Sequence, residues 1–109
     1  MQQLQVQALA EFACREPAPL LLDVREPWEV ALARIELPGL QLLQMPMQTV
    51  PQRLAELPRA QPVVCICHHG ARSAQVVAFL LQHGFSDVYN LDGGVDAWSA
   101  LVDPSVPRY

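Results

Sequence analysis

Apolar residues in this chain fall into short continuous runs, each followed by a stretch where they recur every three or four positions. Leu4-Gln5-Val6 alternates as a short strand, and Ala8 to Arg15 follows with Leu9 and Phe12 at helical spacing. Leu20-Leu21-Leu22 runs unbroken into Asp23, as in a strand covered on both faces. Trp28 to Ile35 predicts a helix with Trp28, Ala31, Leu32 and Ile35 on one face. Pro38-Gly39 breaks the chain before a strand over Leu40 to Met45. Val50 to Leu57 predicts a short helix that turns Leu54 and Leu57 inward, closed by Pro58.

The second half is more strongly patterned. Pro62 opens the strand Val63-Val64-Cys65-Ile66, and the helix Ser73 to His83 presents Ala74, Val77, Leu80 and Leu81, widened by Val76 and Phe79. Gly84 stands where a left-handed cap belongs, with Phe85 placed to close it. A fifth strand is expected over Val88-Tyr89-Asn90-Leu91 and a last helix over Gly94 to Leu101; residues 102–109 carry two prolines and read as an extended tail. Strands alternating with helices define an α/β chain with a parallel sheet and helices on both faces, linked by right-handed crossovers. The 109 residues fit one domain, 1–109. In such sheets ligands bind beyond the carboxyl ends of the strands.

Composition narrows the function. The formal charge is −4, there is no Lys, and the seven Arg are scattered singly, so the basic stripe of a nucleic-acid binder is missing. No apolar run approaches the length of a membrane span. Three Cys, an odd number, and a Gln-rich start without the pattern of a secretory leader predict a reducing, cytoplasmic setting.

Candidate chemistry gathers at Cys67-His68-His69-Gly70-Ala71-Arg72, between a buried strand and the longest helix. Backbone N–H groups in a tight loop before a helix turn inward around an anion. The helix start and Arg72 add positive charge, and Gly70 permits a conformation that a side chain hinders. A thiol there is favoured as the nucleophilic thiolate. Cys14 and Cys65 read instead as small hydrophobes. No metal site is expected: Cys65, Cys67, His68 and His69 come from one contiguous stretch rather than two separated ligand pairs. A Cys65–Cys67 disulfide would close too short a ring. His68 and His69 are either loop surface or a modest positive potential with hydrogen-bond donors for a substrate oxygen; His83 reads as structural.

Three segments in order carry a resemblance: Leu22-Asp23-Val24-Arg25-Glu26, then Val63 through Ser73, then Leu91-Asp92-Gly93-Gly94-Val95-Asp96-Ala97-Trp98. Together they resemble a single-domain rhodanese, a sulfurtransferase of the thiosulfate type. The resemblance implies a five-stranded parallel sheet flanked by helices and a persulfide on Cys67, stabilised by the loop His68, His69, Gly70, Ala71, Arg72 and Ser73. It implies no cofactor; the donor would be a small sulfur-containing anion or a persulfide, the acceptor cyanide or a thiol, including a protein thiol. Where the family often has Gly-His-Ile-Pro-Gly-Ala, this chain has Ala33-Arg34-Ile35-Glu36-Leu37-Pro38-Gly39-Leu40, keeping the turn and losing the Gly-His pair. Asp23 and Arg25 read first as an ion pair at a strand end, and second as loop-orienting residues. Gly93-Gly94 reads as tight packing and Trp98 as core.

Two other functions compete. A phosphatase or arsenate reductase also uses a Cys, a ring of N–H groups and an Arg, but here four residues separate Cys67 from Arg72, one fewer than the usual phosphatase spacing, and no Asp general acid lies beside the loop. A non-enzymatic sulfur relay or regulatory binding module is the second.

Overall fold

A computed structural model describes residues 1–109. Five parallel strands form one sheet: β1 (Gln2–Gln5), β2 (Leu20–Asp23), β3 (Leu42–Gln44), β4 (Val63–Ile66) and β5 (Val88–Asp92), in the spatial order β1-β5-β4-β2-β3. Four helices accompany them: α1 (Leu9–Phe12), α2 (Pro27–Leu32), α3 (Ala71–Gln82) and α4 (Gly94–Leu101).

Successive strand residues point to opposite faces, and the two cores sort accordingly. Leu20, Leu22, Val63, Cys65 and Val88 pack with Val76, Val77 and Leu80 of α3 on one face. Leu21, Val64, Ile66 and Leu91 pack with Leu9 and Phe12 of α1 and Val95 and Trp98 of α4 on the other. All four residues of β2 and of β4 are buried: the apolar runs Leu20-Leu21-Leu22 and Val63–Ile66 as strands covered on both faces, and Asp23 in an ion pair with Arg25. The α3 cap is the expected one: Gly84 has φ +88° and the Phe85 amide donates to the Leu80 carbonyl at 3.1 Å.

Two expectations fail. The predicted helix Trp28 to Ile35 stops at Leu32, because Ala33 turns to extended backbone at φ −156° and ψ 127°. Its buried residues are Glu29 and Val30, whereas Trp28, Ala31 and Leu32 are exposed and only Ile35, beyond the helix, is buried. The predicted α-helix Val50 to Leu57 is a pair of 3₁₀ turns, Met47–Thr49 and Pro51–Glu56; Leu57 is buried and Leu54 partly so. Residues 102–109 turn at Asp103–Ser105 and return to bury Val106 and bring Tyr109 against α2. No helix is long and apolar enough to cross a membrane.

Candidate active site

The central strand β4 ends at Ile66, and residues 67–70 turn directly into α3. Gly70 precedes the helix at φ +103°, and a Cβ there would stand 3.2 Å from the Gly93 amide. The loop is seated on the start of α4: the Val95 and Asp96 amides donate to the Cys67 and His68 carbonyls, each at 3.0 Å. This seat explains Gly94. A Cβ at Gly94 would run into the Cys67 carbonyl and lie 2.6 Å from that of His68. Gly94 therefore serves close packing of the loop, whereas at Gly93, φ +78°, a Cβ would meet Ala97 of α4 itself.

Cys67 is 1% exposed. Its Sγ accepts the Gly70 N–H at 3.0 Å, and the Ser73 Oγ lies 3.2 Å away. Cys65, two residues back on the same face, is buried, and burial followed by the neighbouring Cys67 pushes its thiol up to about 12. Cys14 is exposed, and all three cysteines are unpaired.

Arg72 does not face the sulfur as a free cation. Its Nη1 and Nη2 donate to the two Glu29 carboxylate oxygens at 2.7 and 2.8 Å, joining α3 to α2 in a two-pronged pair. Arg72 holds the Glu29 carboxyl at about 2, helped by the Glu26 amide and the Tyr109 hydroxyl against the penalty of burial. Glu29 in turn raises the Arg72 pKa.

Asp23 and Arg25 form an ion pair at 2.8 Å with both side chains fully buried. None of their hydrogen bonds reaches residues 67–73. Arg25 is used up on Asp23, the Glu29 and Ala33 carbonyls and the Tyr109 hydroxyl. Tyr109 donates to Glu29 at 2.8 Å, so Arg25 connects to Arg72 through Glu29, directly at its carbonyl and by way of Tyr109 at its carboxylate. The Ala33 segment, where the Gly-His pair is missing, contributes a carbonyl to Arg25.

His68 is stacked between His69 and Tyr109, with ring centroids 3.9 and 3.7 Å away. Burial, then His69, lowers its pKa, which works against the positive potential expected of it. His68, His69 and Asp96 bring ligand atoms within 4.8 Å of one another. Asp96, however, already accepts a two-pronged pair from Arg108, each bond at 3.0 Å.

Sequence reasoning missed Glu29, Asn90 and Tyr109. Asn90, 2% exposed, accepts from Ser73 Oγ at 2.5 Å and donates to the Gly70 carbonyl at 3.1 Å. The available signal was its place two residues after Val88 in an inward-facing strand register, where a polar side chain needs a partner.

The parallel five-stranded sheet and a Cys-headed loop seated on a Gly-Gly helix start define a rhodanese-like domain. Residues 5–101 match the rhodanese-like domain family, and the chain belongs to it. It is 44% identical over 80 residues to a sulfurtransferase of Allochromatium vinosum, covering 73% of this chain and 71% of that protein. It is 40% identical over 86 residues to the thiosulfate sulfurtransferase GlpE of Pseudomonas fluorescens, covering 79% and 75%. The crystal structure of a rhodanese-related protein from Thermoplasma volcanium superposes with a TM-score of 0.80 at 28% identity over all of both chains. Of two longer relatives the chain spans 30% and 22%. Sulfur transfer is thus the general class of activity.

Proposed function

We propose that the chain carries a sulfane sulfur on Cys67, from thiosulfate or a persulfide donor to cyanide or a thiol. The observation that carries this reading is the Gly70 N–H aimed at Sγ at the mouth of α3. The Cys67 thiolate attacks the outer sulfur of the donor; the donor's S–S bond breaks, and sulfite, or a thiolate from a persulfide, leaves with the electron pair. The Cys67 persulfide anion is held by loop N–H groups and the helix start. An acceptor then attacks its terminal sulfur, forming thiocyanate or a new persulfide and returning the Cys67 thiolate. A nucleophilic residue 1% exposed favours donors with an unhindered terminal sulfur, which thiosulfate and persulfides have. The commitment of Arg72 to Glu29 supports sulfur rather than phosphate chemistry, because no guanidinium fork is left for equatorial phosphoryl oxygens. Unpaired cysteines support a reducing, cytoplasmic setting.

Intact mass after mixing with thiosulfate, and separately with glutathione persulfide, tests the reading. The parent gains one sulfur atom and the Cys67→Ser variant gains none. A parent that gains no sulfur from either donor, or a variant that still does, overturns it.

A further inference from the structure

Ser73, fully buried in the first turn of α3, has one hydroxyl hydrogen and three acceptors within reach: Asn90 Oδ1 at 2.5 Å, Cys67 Sγ at 3.2 Å and the Gly70 carbonyl at 3.3 Å. The Asn90 Nδ2 donates to the Gly70 carbonyl at 3.1 Å and to Gln3 Oε1 at 3.0 Å. A backbone carbonyl can only accept, so this contact fixes Oδ1 as the end of the amide turned to Ser73. Ser73 therefore donates to Asn90, and the sulfur of Cys67 meets the hydroxyl's lone pairs. Against a thiol that arrangement is favourable, since S–H donates to Oγ. Against a thiolate it is not, and relief requires the hydroxyl to swing its hydrogen to sulfur and leave a buried amide oxygen unpaired.

We propose that Asn90 is a positioning residue that competes with Cys67 for the single Ser73 proton and so restrains ionisation of the resting thiol. The inference rests on the reading of Cys67 as sulfur carrier. Once sulfur is loaded, the negative charge sits on the outer atom, away from Ser73, and the restraint no longer applies. The other titratable groups acting on the sulfur are Cys65 on β4 and Arg72 on α3, the latter held by Glu29.

The test follows iodoacetamide alkylation by intact mass across pH in a Cys14→Ser background, where the buried Cys65, pushed up to about 12, stays unreacted. Asn90→Leu, of similar size, and Asn90→Ala should each bring half-maximal alkylation of Cys67 to a pH about one unit lower, about tenfold faster on the acidic limb. In a Ser73→Ala background the same substitutions should move the midpoint by less than about a third of a unit, because the hydroxyl through which Asn90 acts is gone. Either variant alone suffices if the other does not fold. An unchanged or raised midpoint, or an equal shift with and without Ser73, overturns the proposal. The readout does not depend on turnover, so a parent that gains no sulfur would count against the sulfur-carrier reading and leave the proton competition to be judged by its own midpoints.

Discussion

Gly94 and Glu29 show how single residues hold the loop in place. At Gly94, φ is +60° and the Cys67 and His68 carbonyls occupy the space of a Cβ. Gly94→Ala should therefore cost about 2–4 kcal/mol through strain and displaced loop carbonyls. Thermal unfolding should drop by roughly 10 °C or more; an unchanged melting temperature would show that the loop is not seated there. Glu29 works by charge. Its carboxyl is held at about 2 in the fold against an ordinary value of 4.5. A depressed carboxyl contributes stability that is complete above the unfolded value and lost as pH falls through the folded one. At neutral pH Glu29→Gln should therefore cost at most about 3 kcal/mol. The gap between parent and variant should close between pH 4.5 and 2, the window set by those two values. Urea midpoints at a series of pH values check this, and a gap constant with pH would remove Arg72 as the cause.

Among the elements, β2, β4, α3 and β5 were legible because each announces itself locally: β2 and β4 by their apolar runs, α3 as a stripe ending at Gly84, and β5 as a short run of strand-forming residues following that cap. The loop backbone was legible for the same reason, since residues 67–70 are contiguous and lie between two strong elements. Helix α2 was not. Trp28 and Leu32 are apolar at helical spacing, yet the face turned inward is the one that brings Glu29 to Arg72 and Tyr109. That choice depends on residues 43 and 80 positions away. Asn90 was hidden likewise, as its partners Gln3, Gly70 and Ser73 come from β1, the loop and α3. The 3₁₀ turns at Met47–Thr49 and Pro51–Glu56 replace an α-helix where Pro51 removes a backbone donor and Arg53 leaves helical geometry at φ −115° and ψ 17°.

For the whole molecule, the three thiols sit in three regimes: Cys14 exposed, Cys67 in the loop, and Cys65 inside the α3-side core. Cys65 is 0% exposed and pushed up to about 12, so it should react only when the sheet itself opens. In a Cys14→Ser, Cys67→Ser protein the remaining thiol should react only slowly with a disulfide reagent under native conditions. It should react fully in denaturant, and its slow native rate should follow global unfolding measured by far-UV circular dichroism. Native reaction much faster than that would mean that β4 opens on its own.

The tail's return to α2 has an optical consequence. The protein has two tryptophans: Trp28 is 63% exposed and meets the Tyr109 ring edge-on at 6.0 Å, while Trp98 is 3% exposed within the core on the α1 and α4 side, which Tyr109 also borders. Acrylamide should therefore divide the emission into a red, quenchable part from Trp28 and a blue, shielded part from Trp98. Tyr109→Ala should alter chiefly the red part, because Trp28 meets the Tyr109 ring directly while Trp98 stays shielded within the core. The fluorescence of the unlabelled chain thus separates movement of the tail beside the loop from loosening of the body that carries it.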